Sequence, residues 1–245
     1  VASFQLNNSS IIDLSNKTEI CYKYKDMAKI QPTKPFLLLL YGYPGSGKTY
    51  FSRQFCENVQ AAHLQADKVR GELFEQPRYD KQENMIVNQL MNYMAEEFLS
   101  AGLSVIYDMN AARAGQRRSL DNIALRYHAA PVLVWFQMDA DTAFSRSIKR
   151  DRRRADDKYA AQHDRTTFES MLEHMQNPRS TDNYAVVSGK HLFSMQQSAV
   201  ISKLRSLGCL SGGDASSKII KPGMVNLIPN SPGRVDMTRR NISIH

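Results

Sequence analysis

The stretch Gly42-Tyr43-Pro44-Gly45-Ser46-Gly47-Lys48-Thr49 restricts the fold of this chain more than any other. It fits G-x-x-x-x-G-K-[ST], a glycine-rich loop that has to leave a strand and enter a helix. Both flanks comply. Phe36-Leu37-Leu38-Leu39-Leu40-Tyr41 is a short, continuously apolar run of the kind that forms a strand buried on both faces. After the loop, Tyr50, Phe51, Gln54, Phe55, Asn58 and Val59 recur at helical spacing. Glycines let the backbone turn tightly and aim successive N–H groups at phosphate oxygens, and the helix start adds free N–H donors at its positive end. Lys48 is expected to reach the β- and γ-phosphates of a nucleoside triphosphate, and Thr49 to offer its hydroxyl to Mg²⁺. Gly42, Pro44, Gly45, Ser46, Gly47 and Tyr50 complete the expected nucleotide contacts.

Beyond the loop, short apolar runs alternate with helical periodicity. Residues 61–65, 103–108, 131–136 and 184–187 read as further strands. Helices are expected over 67–75, 80–101, 115–128, 140–150, 166–175 and 194–207. Such alternation implies an α/β fold of three layers around a mostly parallel five-stranded sheet. Residues 1–34 are polar and end in Gln31-Pro32-Thr33-Lys34-Pro35, an extension leading into a domain at 35–210. Whether Ile20–Ile30 forms a helix or a strand stays open. From Ser211 to His245 Gly, Ser, Pro and Asn prevail, as in a tail without a core of its own.

The chain carries a net charge of +8, of which +2 falls in residues 1–35 and +3 in 211–245. A basic tail can hold nucleic acid or an acidic partner, and it can equally serve solubility. No apolar run approaches the roughly 18 residues of a membrane span, and the start lacks the pattern of a secretory signal. Three widely spaced cysteines form neither a disulfide framework nor a zinc pattern, which suits a reducing cytoplasm.

Four further features bear on chemistry. Asp67, just after the second strand, is placed to accept the proton of an attacking hydroxyl, and Arg70 shares its helical face. Asp108 ends the third strand at the carboxyl edge, where it can orient Mg²⁺, and Met109 follows where ATP hydrolases usually carry a water-activating Glu. The guanine motif N-K-x-D is absent downstream of the loop, so both features favour transfer to a bound acceptor over hydrolysis. Arg113, Arg117 and Arg118 can meet an acidic substrate or simply be exposed helix arginines. Arg146, Lys149, Arg150, Arg152, Arg153 and Arg154 form a dense basic cluster, with Arg146 and Arg150 on one helical face. Like charges packed so closely repel, and a polyanion relieves that repulsion, so the cluster reads as an arginine-rich lid whose mobile part is Asp151–Arg165.

Together these residues resemble the P-loop kinases grouped as AAA-domain kinases, relatives of polynucleotide 5′-hydroxyl kinases and zeta-toxin-like kinases. The resemblance rests on Gly42–Thr49, Asp67-x-x-Arg70, Asp108 with Asn110 and Arg113, Arg146-x-x-x-Arg150, and Tyr184–Gly189, and covers roughly Pro35 to Gly208. It implies a P-loop NTPase fold with the P-loop strand beside the Asp108 strand. It also implies an acceptor-activating Asp67, acceptor contact by Arg70 and lid roles for Arg146 and Arg150. The phosphatase signature D-x-D-x-T is absent. The reading is an ATP·Mg²⁺-dependent cytoplasmic kinase acting on a hydroxyl of a small molecule or a nucleic-acid end. The alternative is a non-catalytic or slowly hydrolysing ATP-binding switch whose tail engages a partner.

Overall fold

Water reaches almost none of β1 (Phe36–Gly42), whose seven residues are all buried, and the rest of the molecule is built outward from it. The computed structural model describes residues 29–150, 159–161, 163–179 and 182–211. Successive side chains of a strand face opposite ways. Phe36, Leu38 and Leu40 therefore join one core with Phe51, Phe55, Val200 and Leu204, while Leu37, Leu39 and Tyr41 join another with Val87, Met91, Leu120 and Ile123. Those partners come from α1 (Lys48–Asn58) and α7 (Phe193–Ser206) on one side. On the other they come from α3 (Lys81–Ser100) and α4 (Ala114–Arg126). Two helical layers thus enclose one sheet.

The sheet has the order β2-β3-β1-β4-β5, with β2 (Ala62–Gln65), β3 (Val105–Asn110), β4 (Ala130–Gln137) and β5 (Tyr184–Ser188). Expected to be mostly parallel, it is parallel in every pairing. β1 lies between β3 and β4, so the chain's crossovers leave it in both directions and the crevice at its carboxyl end is the place where such sheets bind ligands. The remaining helices are α2 (Ala66–Leu73), α5 (Ala140–Ile148) and α6 (Arg165–Glu173). Asp80, Asp139 and Asp164 cap α3, α5 and α6 by accepting the backbone N–H three residues on.

β3 runs two residues further than expected, and the reason is a bulge. Leu39 pairs with Tyr107 but Leu40 pairs with Asn110, so Asp108 and Met109 have no partner on β1. On the other edge Gln65 still pairs with Asp108. Residues before Pro35 also contact the elements that follow. Ile30 forms a parallel bridge with Val59, and Thr33 donates from its N–H to Cys209 O and from Oγ1 to Gly208 O. Of the expected extension, residues 1–28 lie outside the described residues, as do residues 212–245 of the tail and 151–158 of the lid stretch. The expected element at Ile20–Ile30 falls almost wholly there. Among the described residues no helix is long and apolar enough to cross a membrane.

Phe51 anchors α1 to the sheet, fully buried with its ring 5.3 Å from Phe55, 5.4 Å from Phe136 and 5.8 Å from Phe193. Phe51→Ala should cost about 3–5 kcal/mol in urea unfolding, since a large side chain leaves a cavity in a close-packed core. Tyr93→Ala, at a position 61% exposed, should stay within about 0.5 kcal/mol of the parent.

Candidate active site

The glycine loop closes over the carboxyl end of β1 and is fixed from both ends. Gly45 (φ 86) and Gly47 (φ 93) adopt backbone conformations that residues with a Cβ avoid. At Gly45 the need is double, because a Cβ there would drive into the carbonyl of Ala143 on α5. Gly47 stands before the first turn of α1. Beneath the loop, the Lys48 ammonium donates to Gly42 O and Tyr43 O, each at 2.8 Å. Ser46 is fully buried, with its N–H on Tyr43 O and its Oγ 3.5 Å from Lys48 Nζ. Burial pushes the Lys48 ammonium down to about 8; Asp108 opposes that drop and Arg150 adds to it.

In front of the loop lies a cavity of about 670 Å³. Pro44, Gly45, Gly47, Lys48, Thr49 and Tyr50 line it from the loop and the start of α1. Asp67 and Arg70 enter from α2, Asp108 and Asn110 from β3, and Arg146 and Arg150 from α5 and the residues after it. The structure therefore brings together most of the residues singled out by sequence. Gly42 is not among the lining residues; it borders a separate hollow of about 470 Å³ and contributes its carbonyl to Lys48. Two of the arginines lie apart from this lining. Arg113 is exposed, precedes the first turn of α4 and does not line the cavity. Arg117 is buried, donates to Ala111 O, Ala112 O and Asn177 O, and lies 5.4 Å over the Tyr41 ring, so it ties loops together. Arg152, Arg153 and Arg154 lie outside the described residues.

Thr49 Oγ1 donates to Asp108 Oδ1 at 3.3 Å, and Asp108 Oδ2 is 3.0 Å from His63 Nε2. A hydroxyl and a carboxylate at the rim of a phosphate loop are hard oxygen donors. Such a pair fits Mg²⁺, which typically takes one or two protein oxygens and fills its octahedron with phosphate and water. The β3 bulge serves this geometry by turning Asp108 out of the β1 ladder, and it sets Asn110 so that its Oδ1 accepts from Gly42 N–H at 3.3 Å. Asp67 is partly buried; desolvation and the neighbouring Asp108 carboxylate raise its pKa above the ordinary aspartate value, against the pull of Arg150, Arg70 and Lys48. A carboxylate so raised is a stronger base.

Several contributors were not legible in advance. Gly189, after β5, comes so close to the loop that a Cβ would fall 2.7 Å from Ser46 O, and its carbonyl accepts from Arg146 Nη1 at 2.8 Å. Lys190 bridges to Asp139 at 2.6 Å, tying the β5–α7 turn to the cap of α5. His63 lies one strand away from Asp108 and gave no signal in one dimension. Glu83, buried behind Arg70, did carry a signal: Asp80-x-x-Glu83 before a helix is a capping pattern.

The model of a family described as AAA domain matches residues 37–178, more than half of the chain and the whole of the loop, Asp67 and Asp108 region. The chain belongs to this AAA domain family. None of the curated proteins matches it. Among solved structures the AAA domain is similar to a sugar kinase from a Janibacter species, with 13% identity, 70% of this chain and 95% of that one covered, and a TM-score of 0.54. It is similar to a gluconokinase from Sinorhizobium meliloti, with 13% identity, 71% and 93% coverage, and a TM-score of 0.53. It is also similar to the APS kinase CysC of Mycobacterium tuberculosis in complex with AMPPNP and APS, with 16% identity, 71% and 99% coverage, and a TM-score of 0.52. At these identities the likeness shows that the AAA domain has the fold of P-loop kinases.

The Lys48 environment makes a direct prediction. In the free protein its ammonium should titrate near pH 8 by side-chain NMR, and a polyphosphate in the loop should move that titration upward by supplying opposite charge. Polyphosphate affinity should therefore hold steady below pH 8 and fall above it, with proton uptake measurable by calorimetry in buffers of different ionisation enthalpy.

Proposed function

We propose that the chain is an ATP-dependent kinase that transfers the γ-phosphoryl group to a hydroxyl of a bound acceptor. The observation that carries this reading is the presence of Asp67 on the wall of the same cavity as Lys48, Thr49, Arg146 and Arg150. The loop N–H groups and Lys48 hold the β- and γ-phosphates, with Gly45, Gly47, Pro44 and Tyr50 shaping their seat. Thr49 and Asp108 are the residues that would hold Mg²⁺, which when bound neutralises phosphate charge. Asp67 takes the proton of the acceptor hydroxyl as its oxygen forms a bond to Pγ. The bond from Pγ to the bridging oxygen breaks, and ADP leaves with those electrons. Arg146 and Arg150 cover the charge that spreads over the phosphoryl oxygens during transfer. The acceptor is a small molecule or a nucleic-acid end, and Arg70 contacts it.

The all-parallel sheet with the loop at its central strand supports this reading at the level of fold. Met109 supports transfer over hydrolysis, because a thioether cannot activate water where a carboxylate can.

Asp67→Asn should lower kcat by about 10²–10⁴-fold while leaving the Kd for ATP nearly unchanged, the pattern of a lost general base. Unchanged turnover would remove Asp67 from its role. In the parent, kcat/KM should rise with pH through an acid limb set by Asp67, above the ordinary aspartate range, and fall again near pH 8 as Lys48 loses its proton. A pH–rate profile with no alkaline limb near 8 would contradict the assignment of Lys48.

A further inference from the structure

β2 is the shortest strand of the sheet and forms one of its edges, yet it holds Asp108 twice. The first hold is on the backbone. The bulge leaves Asp108 without a partner on β1, and the pairing of Gln65 with Asp108 keeps this part of β3 in the sheet. The second hold is on the side chain. Leu64 belongs to the core beneath α3 and α4, so by the alternation of a strand its neighbour His63 faces the side of α1. Ile106, which pairs with His63, belongs to the core on that same side. His63 therefore lies diagonally across from Asp108 on the α1 face, and its Nε2 comes within 3.0 Å of Asp108 Oδ2.

A carboxylate accepts and does not donate, so the proton of this contact sits on Nε2. With Oδ2 held, the carboxylate does not turn freely, and Oδ1 stays directed at Thr49 Oγ1, 3.3 Å away. The Asp108 side chain is 5% exposed, so little water competes for either oxygen. His63 is 20% exposed but is not among the residues that line the cavity. What it does for a ligand there it does through Asp108.

We propose that His63 is a positioning residue for the metal: by donating from Nε2 to Oδ2 it sets the Asp108 carboxylate beside the Thr49 hydroxyl before the ion arrives. This rests on the reading of Thr49 and Asp108 as the pair that holds Mg²⁺. The physical content is preorganisation. An unheld carboxylate gives up rotational freedom when it takes an ion, whereas the held one has given it up on folding. Partners of this kind orient the groups that bind metals, and their loss typically weakens metal binding by about 10–100-fold.

The test uses the full chain with AMPPNP equimolar to the protein and Mn²⁺ in place of Mg²⁺, free ion being read by electron paramagnetic resonance. In His63→Leu the metal Kd should rise about tenfold or more. His63→Gln carries an amide N–H at a reach similar to that of Nε2 and should recover most of that loss. His63→Asn, whose shorter side chain stops short of Oδ2, should not recover it, and the Gln–Asn comparison keeps the test in force if His63→Leu does not fold. AMPPNP affinity in EDTA should be the same in the parent and the variants, because the glycine loop and Lys48 are untouched. An unchanged metal Kd in His63→Leu overturns the proposal, as does a His63→Gln variant no tighter than His63→Asn. A loss in EDTA as large as the loss with Mn²⁺ also overturns it, since the substitution then acts on the loop and not on the ion. Asp108→Asn separates these failures from failure of the metal reading. If Asp108→Asn weakens Mn²⁺ binding and His63→Leu does not, only His63 loses its role. If neither weakens it, Asp108 does not hold the metal, and the role of His63 falls with it.

Discussion

Lys48 carries its half-buried ammonium to the wall of the cavity beneath the glycine loop, and much of the site follows from the need to keep it charged there. Two backbone carbonyls, those of Gly42 and Tyr43, are turned inward to receive it, which commits the loop to a hollow shape even before a ligand arrives. That hollow exists only because β1 ends buried between two neighbours and because α5 passes close behind Gly45. The fold thus stores an electrostatic demand at one point, and an anionic ligand meets it.

The negative groups around the loop are arranged by the sheet and α2. Asp108 and Asp67 both raise the pKa of Lys48, and Asp108 in turn raises that of Asp67. Three ionisable groups of mixed sign are therefore coupled across α1, β3 and α2. Such coupling is common where protons are moved, because each charge sets the basicity of the next. His63 adds a fixed contact on the outer oxygen of Asp108, leaving the inner one to Thr49.

The sequence was most readable where function depends on local backbone. Gly45, Gly47, Lys48 and Thr49 are neighbours in the chain, and the apolar run before them and the periodic helix after them fixed their setting. Asp67 and Asp108 were readable because each follows or ends a strand, and strands deliver residues to one edge of the sheet. What was hidden depends on how strands stack sideways. His63 meets Asp108 only because β2 pairs with β3, and Gly189 meets Ser46 only because β5 lies beyond β4. The different settings of Arg113 and Arg117 were hidden for a related reason. Side chains near the start of a helix point in different directions within a turn, and spacing alone cannot say which of them faces a crevice and which a neighbouring loop.

The bulge between β1 and β3 has a consequence for how this region tolerates change. Asp108 and Met109 are the two residues that β1 leaves without partners, and Ala111 N–H resumes the ladder on Leu40 O at 2.8 Å. Chain length between Tyr107 and Asn110 is therefore a mechanical dimension of the molecule, like the offset in a crankshaft. Shortening it by one residue would pull Asn110 away from Gly42 N–H and swing Asp108 to the other face of the sheet, away from Thr49. Replacing Met109 with another side chain of similar size leaves that dimension untouched. Variation within this segment should accordingly appear in the identity of its middle residue and not in the number of residues it contains.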